Sequence, residues 1–255
     1  MFAVADDAAV AACLRAPGCT AKFVSAVGHA FDGWRAAAWV LRPAAPRSCP
    51  TVVFLHGWNL EHPLLYRGHI GYLLRRGVSV VFPAFQTLAR PLDALLRRGL
   101  GPGMERGKRA VRSTRTGLAF LAAACERRRC NFVLYGHSLG AEVAVAWGLL
   151  GGPLPSTVLF VEPALTAELD ETVLRKAADA LRGARAKVLH GADDRIVTLE
   201  EASLKIARAF AEAGLRCAVL DGPGLWHMSP LTGLFADSAP DAAAFYFAAL
   251  DDALA

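Results

Sequence analysis

The chain has 255 residues, of which 54% are hydrophobic and 20% charged, and its formal net charge is +5. That length suits one α/β domain, residues 1–255, with a large core, and nothing in it demands a division. The basic excess sits in short clusters (Arg75-Arg76, Arg97-Arg98, Arg127-Arg128-Arg129) that alternate with acidic residues and lack interleaved aromatics, which reads as solvated helix ends and excludes a nucleic-acid partner.

The opening stretch MFAVADDAAVAACLRAPGC has no basic segment before an apolar one, and Asp6 and Asp7 stand where a signal peptide is apolar or positive. No apolar run reaches the roughly 18 to 20 residues a membrane helix needs. A cytoplasmic protein without a membrane span is therefore expected. The six cysteines could in number form three disulfides, but in that reducing setting they read as free thiols, and their spacing fits no zinc site.

In chain order, KFVSAV (22–27) and RAAAWVLRPA (35–44) form an expected antiparallel pair around the turn FDG. TVVFLHG (51–57) and VSVVFPA (78–84) are short β-branched runs separated by an amphipathic stretch ending at Gly77, a βαβ unit with a glycine helix stop. The segment 85–108, with Pro91, Gly99, Gly101, Pro102 and Gly103, is the least regular part and reads as a variable loop or partial lid near a site. NFVLYG (131–136), STVLFVEP (156–163), AKVLHG (186–191) and RCAVLDG (216–222) continue the strand-helix alternation. The stretch from Pro240 closes the chain as a helix. The expected fold is a mostly parallel, doubly wound sheet of about eight strands with helices on both faces.

One joint in this pattern carries chemistry. In VLYGHSLGAEVA (133–144) an apolar strand runs into a helix through Ser138, with Gly136 and Gly140 two positions to either side. A strand that becomes a helix so quickly turns sharply, strains the apex residue and needs small neighbours, and G-x-S-x-G in that context presents a nucleophilic serine. Sites in such sheets lie at the carboxyl ends of the strands. Those ends supply Asp193 and Asp194 after AKVLHG, and His227 in WHM after RCAVLDG.

FLHGWN (54–59), GHSLG (136–140), HGADDRIV and WHM, in this order and strand context, resemble the α/β-hydrolase superfamily over nearly the whole chain. The stretch HGWN…GHIGYLLRRGVSVVFPAF is similar to an esterase branch with chlorophyllase-like, dienelactone-hydrolase-like and polyester-hydrolase enzymes. The resemblance implies the α/β-hydrolase fold and a Ser138, Asp194 and His227 triad. Members of this superfamily tend to carry G-x-x-D-x-x-V here, and the resemblance implies Asp194, with Gly191 and Val197 at the matching positions, over the competing acids Glu162 at the end of the preceding strand and Asp193. His227 would take the serine proton, and Asp194 would hold the imidazole in the useful tautomer. The oxyanion would meet the backbone N–H of Leu139 and, by the resemblance, that of Trp58.

Trp58, Asn59, Glu162, Trp226 and Met228 flank this site and are candidates for lining a substrate pocket. His56 reads as packing and hydrogen-bonding within its loop, His137 as filling space beside the serine turn, His190 as a strand end in the core, and His29, His62 and His69 as ordinary polar residues. Only one helix fits between 161 and 186, so no large cap is expected, and an open cleft favours accessible esters. No metal or cofactor is implied, because a triad suffices for acyl transfer. The expected activity is hydrolysis of a small-molecule carboxylic ester through an acyl-enzyme. The alternatives are a thioesterase, acyltransferase or peptidase on the same triad, or a non-catalytic ligand-binding protein of this fold.

Overall fold

The computed structural model describes residues 7–14, 16–27, 35–46, 51–86, 102–124, 131–166, 169–231 and 240–255. Eight strands form one sheet: β1 (Thr20–Val27), β2 (Arg35–Arg42), β3 (Thr51–Leu55), β4 (Val80–Ala84), β5 (Phe132–His137), β6 (Thr157–Val161), β7 (Arg185–Gly191) and β8 (Cys217–Gly222). Their spatial order is β1-β2-β4-β3-β5-β6-β7-β8. β2 runs antiparallel to both β1 and β4, and every other neighbouring pair is parallel.

The short central strands are buried on both faces, which is why they read as continuous apolar runs. Alternate side chains serve two separate cores. Val53, Leu55, Leu134, Val158, Phe160 and Val188 point to one face, where they meet Ala110 of α3 (Pro102–Ala124), Val143 of α4 (Leu139–Leu149), Leu174 of α5 (Glu171–Ala180) and Ile206 of α6 (Leu204–Glu212). Val52, Phe54, Val133, Tyr135, Leu159 and Leu189 point to the other, with Val10 of α1 (Asp7–Cys13), Ile70 of α2 (Arg67–Arg75) and Tyr246 of α7 (Pro240–Leu254). The doubly wound layering expected from the strand-helix alternation is the one observed.

α2 stops as its sequence predicts, with Gly77 taking φ +80° just beyond it. The irregular segment is shorter than 85–108: its last seven residues, 102–108, belong to the 23-residue helix α3. Pro102 sits at the start of that helix, where a missing N–H costs nothing, so a residue that reads as a loop signal instead opens a helix. Residues 87–101 and the FDG turn lie outside the described residues. Between β6 and β7 only α5 intervenes, and no large cap is present among the described residues. No described helix is long and apolar enough to cross a membrane. Cys13, Cys19 and Cys217 are free thiols, as expected, while Cys49, Cys125 and Cys130 lie outside the described residues.

Candidate active site

The parallel strands β3, β5, β6, β7 and β8 bring their carboxyl ends to one edge of the sheet, and the side chains singled out by their order in the chain meet there. Ser138 joins β5 to α4 with φ +53° and ψ −121°, a strained conformation for a residue with a side chain. The surrounding structure fixes it: Ser138 N–H donates to Val161 O at 3.0 Å, and its own carbonyl accepts from Ala141 and Ala164. The flanking glycines answer to close approach. A Cβ on Gly140 would lie 2.1 Å from the carbonyl oxygen of Leu55, and one on Gly136 would lie 2.6 Å from that of Gly140.

His227 Nε2 is 2.7 Å from Ser138 Oγ, and His227 Nδ1 is 2.9 Å from Asp194 Oδ2. Asp194 Oδ1 accepts the N–H groups of Ile196 (2.8 Å) and Val197 (3.1 Å). Burial pushes the Asp194 carboxyl up, but the hydrogen bonds from His227, Ile196 and Val197 outweigh it and hold the group below the usual carboxylate range. The spacing that selects Asp194 over Asp193 is thus a folding device: Val197 supplies one of the N–H groups that seat the carboxylate. Asp193 is exposed.

Two loops flanking the serine are tied together by residues that the sequence does not announce. Gly57 N–H donates to the Tyr66 hydroxyl at 2.9 Å. That hydroxyl bonds Nδ1 of His137 at 2.8 Å, and His137 Nε2 donates to the backbone carbonyl of His227, also at 2.8 Å. The Gly57 carbonyl accepts from His56 Nδ1 and from Gln86 Nε2, each at 3.0 Å, while Gln86 Oε1 accepts Asn59 N–H at 2.7 Å. Because the peptide between Gly57 and Trp58 is planar and trans, fixing its carbonyl aims Trp58 N–H to the opposite side. Burial lowers His56 to about 4 and His137 to about 3, so both rings are neutral parts of the scaffold, in line with the packing roles expected of them.

A second brace lies under the serine. Glu142, fully buried in the first turn of α4, pairs with Arg106 of α3 and accepts Thr166 N–H at 3.0 Å. The Arg106 guanidinium lies 5.9 Å from the Trp58 ring centroid.

The expected pocket residues divide. Trp58 and Trp226 are 63% and 39% exposed at the rim, Met228 is half-buried, and Asn59 takes φ +58° in the loop held by Gln86. Glu162 is 1% exposed, with Oε2 accepting Gly191 N–H at 2.9 Å, so it lies beneath the site and not on its surface. A cavity of about 640 Å³ opens between the loops after β6 and β7, lined by Ala164, Leu165, Thr166, Leu169, Val197 and Lys205 with Asp170, Glu171 and Glu201. None of the five expected residues borders it. Glu162, His190 and Asp194 have donor atoms within 4.8 Å of one another. These atoms are already engaged: Glu162 by Gly191, His190 by the Ser203 hydroxyl at 3.0 Å, and Asp194 by His227 and two N–H groups.

Solved structures share this arrangement of strands. A carboxyl esterase from the mycorrhizal fungus Tuber melanosporum superposes with a TM-score of 0.64 at 18% identity, over 94% of this chain and 87% of that one. A thermostable esterase from Pseudomonas putida gives 0.68 at 17% identity, over 98% and 89%. A dienelactone hydrolase-like promiscuous phosphotriesterase from metagenomic libraries gives 0.60 at 18%, over 92% and 97%. No protein-family model matches the sequence, and no curated protein matches it significantly. The chain has the α/β-hydrolase fold. Within that fold Ser138 stands at the strand-to-helix turn after β5, and Asp194 and His227 follow β7 and β8.

Proposed function

We propose that the protein is a serine hydrolase that cleaves carboxylic esters of small molecules through an acyl-enzyme. The observation that carries this reading is the line Ser138 Oγ, His227, Asp194, bonded at 2.7 and 2.9 Å, with the serine on a strained turn. A serine hydroxyl is a weak nucleophile until a base takes its proton, and an imidazole bonded to it and oriented by a carboxylate is that base. Esterases among the solved structures with this fold support the substrate class.

In the first half-reaction Ser138 Oγ attacks the acyl carbon while its proton passes to His227 Nε2. Asp194 stays ionised and stabilises the imidazolium. The negative oxygen of the tetrahedral intermediate meets the N–H of Leu139, one of the orphan donors at the start of α4, and that of Trp58. The intermediate collapses, the alkoxide leaves with the proton from His227, and Ser138 keeps the acyl group as an ester. Water then repeats the sequence and releases the acid. No metal or cofactor enters these steps.

The test is labelling of Ser138 by a fluorophosphonate probe, followed by turnover of p-nitrophenyl esters, acyl-thioesters and aminoacyl amides. Wild type is expected to be labelled and to favour the oxygen esters, and Ser138→Ala to lose both properties while keeping its circular dichroism. Equal labelling of Ser138→Ala would refute the assignment, and preference for a thioester or amide would replace the substrate class. Failure of wild type to react with any of them would favour the non-catalytic ligand-binding alternative.

A further inference from the structure

We propose that Glu162 is a positioning residue for the triad acid, donating a carboxyl O–H hydrogen bond to Asp194 and so extending the line of bonded groups to four. The inference rests on the reading of Asp194 as the partner of His227. Glu162 follows β6 directly, in a positive-φ conformation (+43°), and its N–H is fixed to Leu189 O at 2.8 Å. That strained backbone turns the side chain across to β7, where Oε2 accepts Gly191 N–H. A Cβ on Gly191 would stand 2.2 Å from Leu225 O and 2.8 Å from Glu162 Oε1, so the missing side chain makes room for both.

The side chains of Glu162 and Asp194 are 1% and 0% exposed, and their carboxyl oxygens lie within 4.8 Å. Two carboxylates that close in a dry site do not both ionise. The partners decide which one keeps the proton. Among the described residues Asp194 has three donors, from His227, Ile196 and Val197, whereas Glu162 has the N–H of Gly191. His190 Nδ1 is 3.8 Å from Glu162, but burial lowers its basicity and the Ser203 hydroxyl occupies it.

The titratable groups facing Glu162 are Asp194, His190 of β7, Asp221 of β8, Tyr135 of β5 and Tyr246 of α7. Burial keeps both tyrosines neutral, and the two aspartates repel a charge on Glu162. Burial, with the charge on Asp194, pushes the Glu162 carboxyl up to about 8 despite the Gly191 hydrogen bond. Below that pH Glu162 is a donor that orients Asp194. Above it, a second negative charge displaces Asp194 from His227.

The test compares wild type, Glu162→Gln and Glu162→Ala on p-nitrophenyl acetate across pH 6 to 10, with fluorophosphonate labelling of Ser138 run in parallel. Wild-type kcat is expected to fall as pH passes through about 8. Glu162→Gln, a permanent neutral donor, is expected to lack that fall. At pH 7 Glu162→Ala is expected to lose about tenfold or more in kcat, the effect of one misplaced catalytic hydrogen bond, and Glu162→Gln to recover most of that loss. Infrared difference spectra between wild type and Glu162→Gln at pH 6 and pH 9 supply a readout independent of turnover and of how Glu162→Ala folds. A protonated carboxyl band present at pH 6 and lost at pH 9 is expected. An identical alkaline profile in Glu162→Gln, no recovery relative to Glu162→Ala, or no such band would each overturn the proposal. If wild type shows neither labelling nor turnover, the triad reading fails instead, and the infrared band still decides the proton on Glu162.

Discussion

The Tyr66 hydroxyl and His137 Nδ1 lie 2.8 Å apart in a fully buried pair. The hydroxyl accepts Gly57 N–H and so donates its own proton to Nδ1, which leaves the His137 proton on Nε2, where the carbonyl of His227 accepts it. One unbroken line of donors therefore runs from the loop after β3, beneath the serine turn, to the backbone of His227. His137 occupies a variable position of G-x-S-x-G, yet it positions two other parts of the site.

Tyr66→Phe removes the middle of that line. Gly57 N–H and His137 Nδ1 then stay buried without a partner, and each orphan costs about 1 to 3 kcal/mol. Urea unfolding is expected to show a loss of about 2 to 4 kcal/mol for the variant, within that range for two groups. Its kcat is expected to fall more than its KM changes, because His227, the proposed base, and the loop carrying the proposed oxyanion donor Trp58 both lose their register. A stability within experimental error of wild type would show that water or repacking satisfies both groups.

Gln86 is a second control point, because its amide bonds on both sides of Trp58, to Gly57 O and to Asn59 N–H. Removing one oxyanion donor outright costs about 10² to 10³ in kcat, so Gln86→Leu, which only loosens the peptide carrying the donor, is expected to cost about tenfold or more. Ground-state binding should change little, leaving KM within about threefold of wild type. Stopped-flow acylation with an aryl ester measures the step directly. An unchanged acylation rate would remove Trp58 N–H from the oxyanion hole.

The layering and the meeting of Ser138, His227 and Asp194 were legible because both rest on local or periodic signals. Eight apolar runs, the later ones spaced by helices, become eight strands, and Gly191, Asp194 and Val197 keep their spacing because Val197 N–H seats the carboxylate. The braces were illegible because their partners are remote in sequence. Tyr66 and His137 are 71 residues apart, and Gln86 reaches 29 residues back to Gly57. His69, read as an ordinary polar residue, is buried against Phe54 and Tyr135 with its Nδ1 on the Tyr246 hydroxyl, a contact across 177 residues. The cavity between the loops after β6 and β7 is likewise lined from three separate stretches, 164–166 with 169–171, Val197, and Glu201 with Lys205, which no local pattern joins.

Three buried imidazoles give stability a definite pH dependence. Burial lowers His56 to about 4 and His69 and His137 to about 3, against about 6.5 in the unfolded chain. Between pH 6.5 and 4 the unfolded state thus binds up to three more protons than the native one. Their contribution is fully present above pH 6.5 and is lost as pH falls, at up to about 4 kcal/mol per pH unit. Glu162 works in the opposite sense: with its folded value raised to about 8, the native state holds a proton the unfolded state has lost, so its contribution declines from pH 4.5 up to 8. Tm is expected to peak near neutral pH, to drop steeply toward pH 4.5, and to decline gently toward pH 8. The alkaline decline should flatten in Glu162→Gln. Scanning calorimetry from pH 4.5 to 9 measures all of it, and a Tm constant from pH 6.5 to 4.5 would contradict the burial of neutral histidines.

The last prediction concerns the charge beneath the serine helix. Glu142 is 0% exposed, and its carboxylate takes Arg106 on one oxygen and Thr166 N–H on the other, joining α3, α4 and the loop after β6. A buried pair contributes little net stability when intact, because desolvation offsets attraction, but breaking it strands the remaining charge at about 3 to 5 kcal/mol. Glu142→Ala is expected to lose that amount in guanidinium unfolding. Arg106→Ala should lose a comparable amount, since Glu142 is the more deeply buried partner and would be left with only the Thr166 bond. The double variant should lose less than the sum of the two by at least about 1 kcal/mol, the size of coupling seen between groups in one network. Catalysis should respond too, because Arg106 also covers the Trp58 ring, and loss of that contact frees the loop that carries the proposed oxyanion donor. Additive losses in the double-mutant cycle would show that Glu142 and Arg106 act as separate residues and that the helix under Ser138 is braced by packing alone.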